Sequence, residues 1–183
     1  MRVVAGQYKG RALRAVPGRT TRPTTDKVKE SIFNMVGPFF NHGHGLDLFA
    51  GSGSLGIEAL SRGFEKVIFV DQDMKAIQTI KENVHALSLN DQVEIYRNDA
   101  RRALKAITKR DIKFDGVFLD PPYKMNVLSM LIETIDKHEL LNNNGFILAE
   151  HGDETVLPEK IGELSVWKQE LYGGTKITIY KYT

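Results

Sequence analysis

The chain has 183 residues, 42% hydrophobic and 26% charged, which fits one folded domain with at most a small appendage. It contains no cysteine, so disulfides, thiolate zinc sites, iron–sulfur clusters and a cysteine nucleophile are excluded. Apolar runs such as Val67-Ile68-Phe69-Val70 are too short to span a membrane, and the start has no apolar signal core. The expected location is therefore the cytoplasm, with no membrane partner.

The net charge is only +2, but its distribution is uneven. The first 40 residues hold Arg2, Lys9, Arg11, Arg14, Arg19, Arg22, Lys27 and Lys29 against only Asp26 and Glu30. A basic segment on a near-neutral body suits a polyanion, most simply nucleic acid. It suits a solvated basic arm equally well.

Residues 1–16 carry Gly6 and Gly10 between short apolar stretches, which predicts a hairpin or extended arm. Pro17-Gly18 marks a turn. Thr24 or Thr25 is placed to cap a helix whose apolar residues Val28, Ile32, Met35, Val36 and Phe39 share one face. From residue 45 the pattern alternates. Strand-like runs end at Ala50, Val70, Tyr96, Leu119 and Ala149, with helical stretches near 54–62, 73–88, 100–109 and 125–138. The 73–88 stretch places Met74, Ile77, Ile80, Val84 and Leu87 on one face. Such alternation predicts βαβ units around a parallel sheet with helices on both faces. Residues 164–171 and 175–182, joined through Tyr172-Gly173-Gly174, read as an antiparallel hairpin at the sheet edge. Trp167 in that hairpin is expected to pack. The predicted class is α/β: a doubly wound, Rossmann-like, seven-stranded sheet, mostly parallel, with an antiparallel C-terminal hairpin. Residues 1–42 form a small basic N-terminal extension, and residues 43–183 form the main domain.

Gly51, Gly53 and Gly56 fit G-x-G-x-x-G between a strand and a helix, and Asp71 follows Gly51 by 20 residues. Glycines there let the backbone approach a ligand, and an acid at that distance accepts ribose hydroxyls, so the pattern predicts a nucleoside-type ligand. A glycine turn needed only for packing is the plainer reading. Asp47 lies beside the turn, where a carboxylate would repel a pyrophosphate but could receive the ammonium of a methionine moiety. That favours S-adenosylmethionine over a dinucleotide. Capping the turn's own amides is the simpler role for Asp47.

Phe118-Leu119-Asp120-Pro121-Pro122-Tyr123 closes the fourth strand, and ligands of such sheets bind outside the carboxyl ends of the strands. Two prolines fix an extended backbone and remove two donors. The Asp120 carboxylate and the Pro121 carbonyl remain as acceptors suited to a planar amino group, with the Tyr123 ring available for stacking. Together these residues resemble class I S-adenosylmethionine-dependent methyltransferases of the amino-methylating type. That resemblance implies adenine contacts at Asp99 and Ala100, after the third strand, and at Gln72.

The N-terminal segments Gly6-Gln7-Tyr8-Lys9-Gly10-Arg11 and Arg22-Pro23-Thr24-Thr25-Asp26-Lys27-Val28-Lys29-Glu30-Ser31-Ile32-Phe33-Asn34 narrow the likeness. They resemble the signature of the RsmD family, bacterial 16S ribosomal RNA guanine-N2 methyltransferases. The resemblance implies guanine 966 of 16S rRNA, within a small ribosomal subunit or its assembly intermediate, as target of a monomeric enzyme. It implies Asp120, Pro121 and Tyr123 as catalytic, and Asp47, Gly51, Gly53, Asp71, Gln72, Asp99 and Ala100 as cofactor-binding. The basic arm then offers Arg2, Lys9, Arg11, Arg14, Arg19, Arg22 and Thr24 to RNA. The five histidines are scattered, and no metal site is expected. Three other readings stay open: an adenine amino-methyltransferase acting on RNA or DNA, a nicotinamide oxidoreductase, and a non-catalytic RNA-binding module.

Overall fold

The computed structural model describes residues 1–19 and 24–183. In chain order these form α1 (Asp26–Val36), β1 (His44–Asp47), α2 (Ser54–Ser61), β2 (Lys66–Asp71), α3 (Met74–Ala86), β3 (Val93–Arg97) and α4 (Ala100–Ile107). Next come β4 (Phe114–Leu119), α5 (Leu128–Lys137), β5 (Leu141–Gly152), β6 (Lys160–Ile161), β7 (Leu164–Tyr172) and β8 (Thr175–Tyr182). One sheet runs β3-β2-β1-β4-β5-β8-β7-β6. Strands β1 to β5 are mutually parallel, and β8 joins antiparallel between β5 and β7.

Alternation in the strands explains the two layers. In β2, Ile68 and Val70 face one core with Leu46, Val117, Leu104 and Ile132, drawn in part from α4 and α5. Val67 and Phe69 face the other, with Ile32, Phe33, Ile57, Ile80 and Val84 from α1, α2 and α3. Central strands apolar on both faces require helices on both sides. The N-terminal turn also contributes to the second core through Val3 and Leu13. It is closed by Val3 N–H to Arg11 O (2.9 Å) and Leu13 N–H to Met1 O (2.9 Å).

The sheet has eight strands rather than the seven expected. The addition is Lys160–Ile161, paired with Leu164 and Ser165 of β7, and two residues are too few for a periodic signal. Helix α1 ends at Val36, before Gly37 and Pro38, because a residue preceding proline is steered away from helix. Phe39 is consequently outside it and 61% exposed. Met74 opens α3 and is 50% exposed, so the buried face begins one turn later. Trp167 does not pack inside: its ring is exposed, with the Lys168 and Lys181 ammoniums 4.1 and 4.5 Å from its centroid.

Candidate active site

Parallel strands bring their carboxyl ends to one edge, and four of them end in acids. Asp47 ends β1, Asp71 ends β2, Asp120 directly follows β4, and Glu150 lies near the end of β5. Leu119 pairs with Ala149, so Asp120 and Glu150 follow side by side.

The glycine turn occupies the β1 end of this edge. Gly51 and Gly53 have φ of +56° and +85°, left-handed values that disfavour side chains. Gly56 lies so close to the Phe69 ring that a Cβ there would overlap it. The Asp71 carboxylate organises the turn. One oxygen accepts from Gly51 N–H (2.9 Å), and the other accepts from Asp73 N–H (2.9 Å) and from Arg19 Nη2 (3.2 Å). Asp47 is fully buried and accepts from Gly56 N–H at 3.3 Å. Burial pushes its carboxyl up to about 7, the Gly56 amide opposes that, and the Asp71 charge adds to it.

At the β4 end, Pro121 is buried and Pro122 exposed. Tyr123 is 50% exposed, and its hydroxyl shares a 2.6 Å hydrogen bond with Thr175 Oγ1 at the turn between β7 and β8. The exposed ring is therefore anchored at its tip. Asp120 has its carboxyl raised well above the ordinary range, first by loss of water and then by the charges of Glu150 and Asp47; Arg19 opposes the shift. Glu150 is raised as well, by burial, and hydrogen bonds from Thr24 and Asp120 counter this.

The other expected residues divide. Gln72 is exposed at the same edge, and its carbonyl accepts from Arg97 Nε. Asp99 caps α4, accepting from the Arg101 and Arg102 amides (2.9 and 3.3 Å) and pairing with the Arg101 guanidinium. Ala100 is buried. On the arm, Lys9 is exposed. Arg2, Arg11 and Arg14 lie on the surface with their guanidiniums on Asp26, Ala86 O and Glu82. Arg19 instead reaches Asp71 and Asp73, at 3.2 and 3.5 Å, in the strand-end cluster. Thr24 also turns inward, donating to Glu150 Oε2 at 3.3 Å. Arg22 lies outside the described residues.

Residues 1–181 match the family described as conserved hypothetical protein 95. The chain is 60% identical to the Bacillus subtilis protein YlbH over 181 residues, 99% of this chain and 98% of the relative. It is 37% identical over 151 residues to Ribosomal RNA small subunit methyltransferase D of Haemophilus influenzae, covering 82% of this chain and 78% of that one. This chain belongs to the RsmD family. The solved structure of yhhF from Escherichia coli superposes at a TM-score of 0.83 with 29% identity, covering 100% of the RsmD-family chain and 97% of that chain. The RsmD-family protein is an S-adenosylmethionine-dependent methyltransferase. The edge fits that cofactor: Asp71 ends a strand beside a left-handed glycine turn, and Asp47 supplies a buried acid for a cation.

Two site residues escaped the sequence reading. Glu150 ends the apolar run Phe146-Ile147-Leu148-Ala149, as Asp47 and Asp71 end theirs, and that shared pattern was the available signal. Asn83 left none. Buried on α3, it accepts from Arg14 N–H (2.8 Å) and donates to Ser52 O (2.9 Å) and Arg14 O (3.1 Å), tying the arm to the glycine turn.

Proposed function

We propose that this protein methylates the exocyclic N2 amine of a guanine in 16S ribosomal RNA, guanine 966 being the position that family resemblance indicates. The observation that carries this reading is Asp120-Pro121-Pro122-Tyr123 at the carboxyl end of β4, on the same sheet edge as Asp47, Asp71 and the glycine turn. The name of the Haemophilus relative, a ribosomal RNA small subunit methyltransferase, supports ribosomal RNA as substrate. A cytoplasmic monomer acting on the small subunit or its assembly intermediate fits that substrate. Among the described residues, no helix is long and apolar enough to cross a membrane.

Bound S-adenosylmethionine supplies an electrophilic methyl group. Asp71 holds the ribose hydroxyls, Asp47 receives the ammonium, and Gln72, Asp99 and Ala100 border the adenine. Gly51 and Gly53 keep the backbone close to the ligand. The lone pair of a guanine amine is delocalised into its ring. Asp120 and the Pro121 carbonyl accept its two N–H groups, turn the lone pair toward the methyl group and stabilise positive charge developing on nitrogen. Tyr123 stacks on the base, a contact worth about 1–3 kcal/mol. An unpaired nucleotide is the favoured substrate, because extruding a stacked base costs a few kcal/mol. Arg2, Lys9, Arg11, Arg14 and Arg22 hold phosphates. Arg19 and Thr24, placed in the strand-end cluster, act at the mouth between the RNA and the cofactor.

The test is tritiated methyl transfer to small subunits, free ribosomal RNA and DNA, followed by nucleoside analysis. The expected product is N2-methylguanosine in small-subunit RNA. Label in methyladenosine or in DNA overturns the guanine reading.

A further inference from the structure

We infer that Trp167, with Lys160, Lys168 and Lys181, forms a second RNA contact that stacks one unpaired base of the substrate and holds the phosphates beside it. The inference rests on the ribosomal RNA reading of the substrate given above. Strand pairing assembles the surface. Lys160 of β6 pairs with Ser165 of β7, and Ser165 pairs with Lys181 of β8, so all three form one row on one face. On β8, Ile177 and Ile179 pack into the core shared with α1 and the N-terminal turn. Lys181 continues that alternation and takes the same face. The row therefore lies on the side of the sheet that carries the basic N-terminal segment.

A bulge adds the ring. The pairing of β7 with β8 shifts between Val166 and Lys168, which leaves Trp167 without a partner residue on β8. Val166 packs against the core on the other side, while Lys168 stands opposite Ile179. Trp167 and Lys168 thus share a face although they are consecutive, which an unbroken pleat does not permit. The indole is 41% exposed, and the Lys168 and Lys181 ammoniums lie 4.1 and 4.5 Å from its centroid. Among the described residues, no carboxylate forms an ion pair with Lys160, Lys168 or Lys181. Asp115 lines the cleft beside the ring, but its oxygens accept from His44 N–H (2.9 Å) and Asn142 Nδ2 (3.0 Å).

The chemistry of the partner follows. Unpaired cations around an open aromatic ring suit a chain that alternates phosphates with flat rings. A base that stacks displaces an ammonium, and the ammonium finds a phosphate. Stacking is worth roughly five- to a hundredfold in affinity, against roughly two- to fivefold for an exposed cation–π contact, so the exchange is favourable. The cleft beside the ring holds about 220 Å³, below the roughly 300–1,000 Å³ of small-molecule pockets. A chain lying across the surface fits better than a metabolite held inside. Thr175, which anchors the Tyr123 hydroxyl, shares the face of Lys181 and precedes it on β8 by roughly 20 Å at strand rise. A few nucleotides of extended RNA span that distance, so one strand can place its target at Tyr123 and another base at Trp167.

Trp167 is the only tryptophan of the chain, so its fluorescence reads this site without a label. In wild type, 16S ribosomal RNA transcribed in vitro should quench it saturably, and duplex DNA at equal phosphate concentration should quench it far less. In filter binding, Trp167→Ala should weaken RNA affinity by roughly five- to a hundredfold, and Trp167→Phe should retain most of it. Lys168→Ala and Lys181→Ala should each flatten the slope of log affinity against log salt by about 0.7. Cofactor affinity by calorimetry should stay at the wild-type value in all four variants, which excludes misfolding as the cause. Fluorescence left unquenched at an RNA concentration that saturates filter binding overturns the inference, whatever the variants do. A Trp167→Ala affinity equal to wild type also overturns it. Quenching by whole small subunits but not by their RNA assigns this face to a ribosomal protein and overturns it too. Failure of the substrate reading is distinguishable: wild type would then neither bind nor methylate ribosomal RNA, whereas failure of this inference alone leaves methylation intact with the fluorescence unmoved.

Discussion

Glu58 and Glu150 are both buried glutamates, 0% and 8% exposed, yet they sit in opposite surroundings. Glu58, on α2, accepts from the Val4 and Ala5 amides (2.9 and 3.0 Å) and from Arg62 Nε (2.7 Å), with Lys29 Nζ at 3.5 Å. Lys29 also donates to Arg2 O and Ser54 Oγ, and Arg62 lies over the Phe33 ring. These contacts join α1, α2 and the N-terminal turn through one carboxylate. At the strand ends the ratio of acids to cations reverses: Asp47, Asp71, Asp120 and Glu150 share one sheet edge, where Arg19 pairs with Asp71 and Asp73 and acts on Asp120. Buried acids matched by cations serve architecture. Buried acids left in excess hold protons and can accept from a ligand.

The largest effect should come from breaking the matched cluster. Glu58→Ala strands Lys29 and Arg62 without their anion. Removing one partner of a buried pair costs about 3–5 kcal/mol, read as a lowered midpoint in urea unfolding. The Lys29 ammonium is already pushed down by burial and held up by Glu58, so without Glu58 it should become neutral more readily. A loss below about 1 kcal/mol would mean that the N-terminal turn stands without the cluster.

At the strand ends the same kind of truncation should spare the fold and remove the activity. Asp120→Ala takes away an acceptor that aligns the amine. Losing one such preorganised group costs about 10²–10³ in turnover. Stability should hold or rise, because one acid has left an acid-rich edge, and cofactor binding by calorimetry should be nearly unchanged. Turnover equal to wild type would remove Asp120 from the chemistry.

Much of this contrast was legible in the sequence, though unequally. The parallel sheet, the glycine turn and Asp120-Pro121-Pro122-Tyr123 announced themselves because their signals are local: strand periodicity, residues that permit left-handed turns, and paired prolines. The cluster around Glu58 did not, because α2 reads as an ordinary apolar helix and Lys29 as one more member of the basic segment. Its burial arises from packing α1 against α2 across 25 residues of chain. Arg19 was grouped with the surface cations for the same reason. Charge counting cannot tell a guanidinium facing solvent from one facing Asp71, and only the folded path of the N-terminal segment separates them.

Asp71 sharpens the comparison at intermediate scale. It is buried and accepts two amides and a guanidinium, so it combines support of the turn with readiness for a ribose. Asp71→Asn keeps the shape and removes the charge. Charge-assisted hydrogen bonds exceed neutral ones by about 1–2 kcal/mol, so calorimetry should show cofactor affinity falling about five- to thirtyfold with little change in melting temperature. A large melting shift with unchanged affinity would move Asp71 into the architectural class with Glu58.

The finest distinction lies in Asp47, whose carboxyl is pushed up to about 7 by burial. A folded-state pKa above the unfolded one means that the folded protein holds this proton more tightly. In the free protein its contribution to stability is present in acid and is lost as the pH rises through about 7. A cofactor ammonium favours the ionised form and reverses that preference, so binding should release a proton near neutrality. Between pH 7 and pH 6 the ionised fraction of such a group falls about fivefold, and wild-type affinity should fall by about the same factor. Asp47→Asn should bind more weakly at pH 7 and show a flat profile across that interval. A profile equally steep in the variant would assign the pH dependence to another group and return Asp47 to capping the Gly56 amide alone.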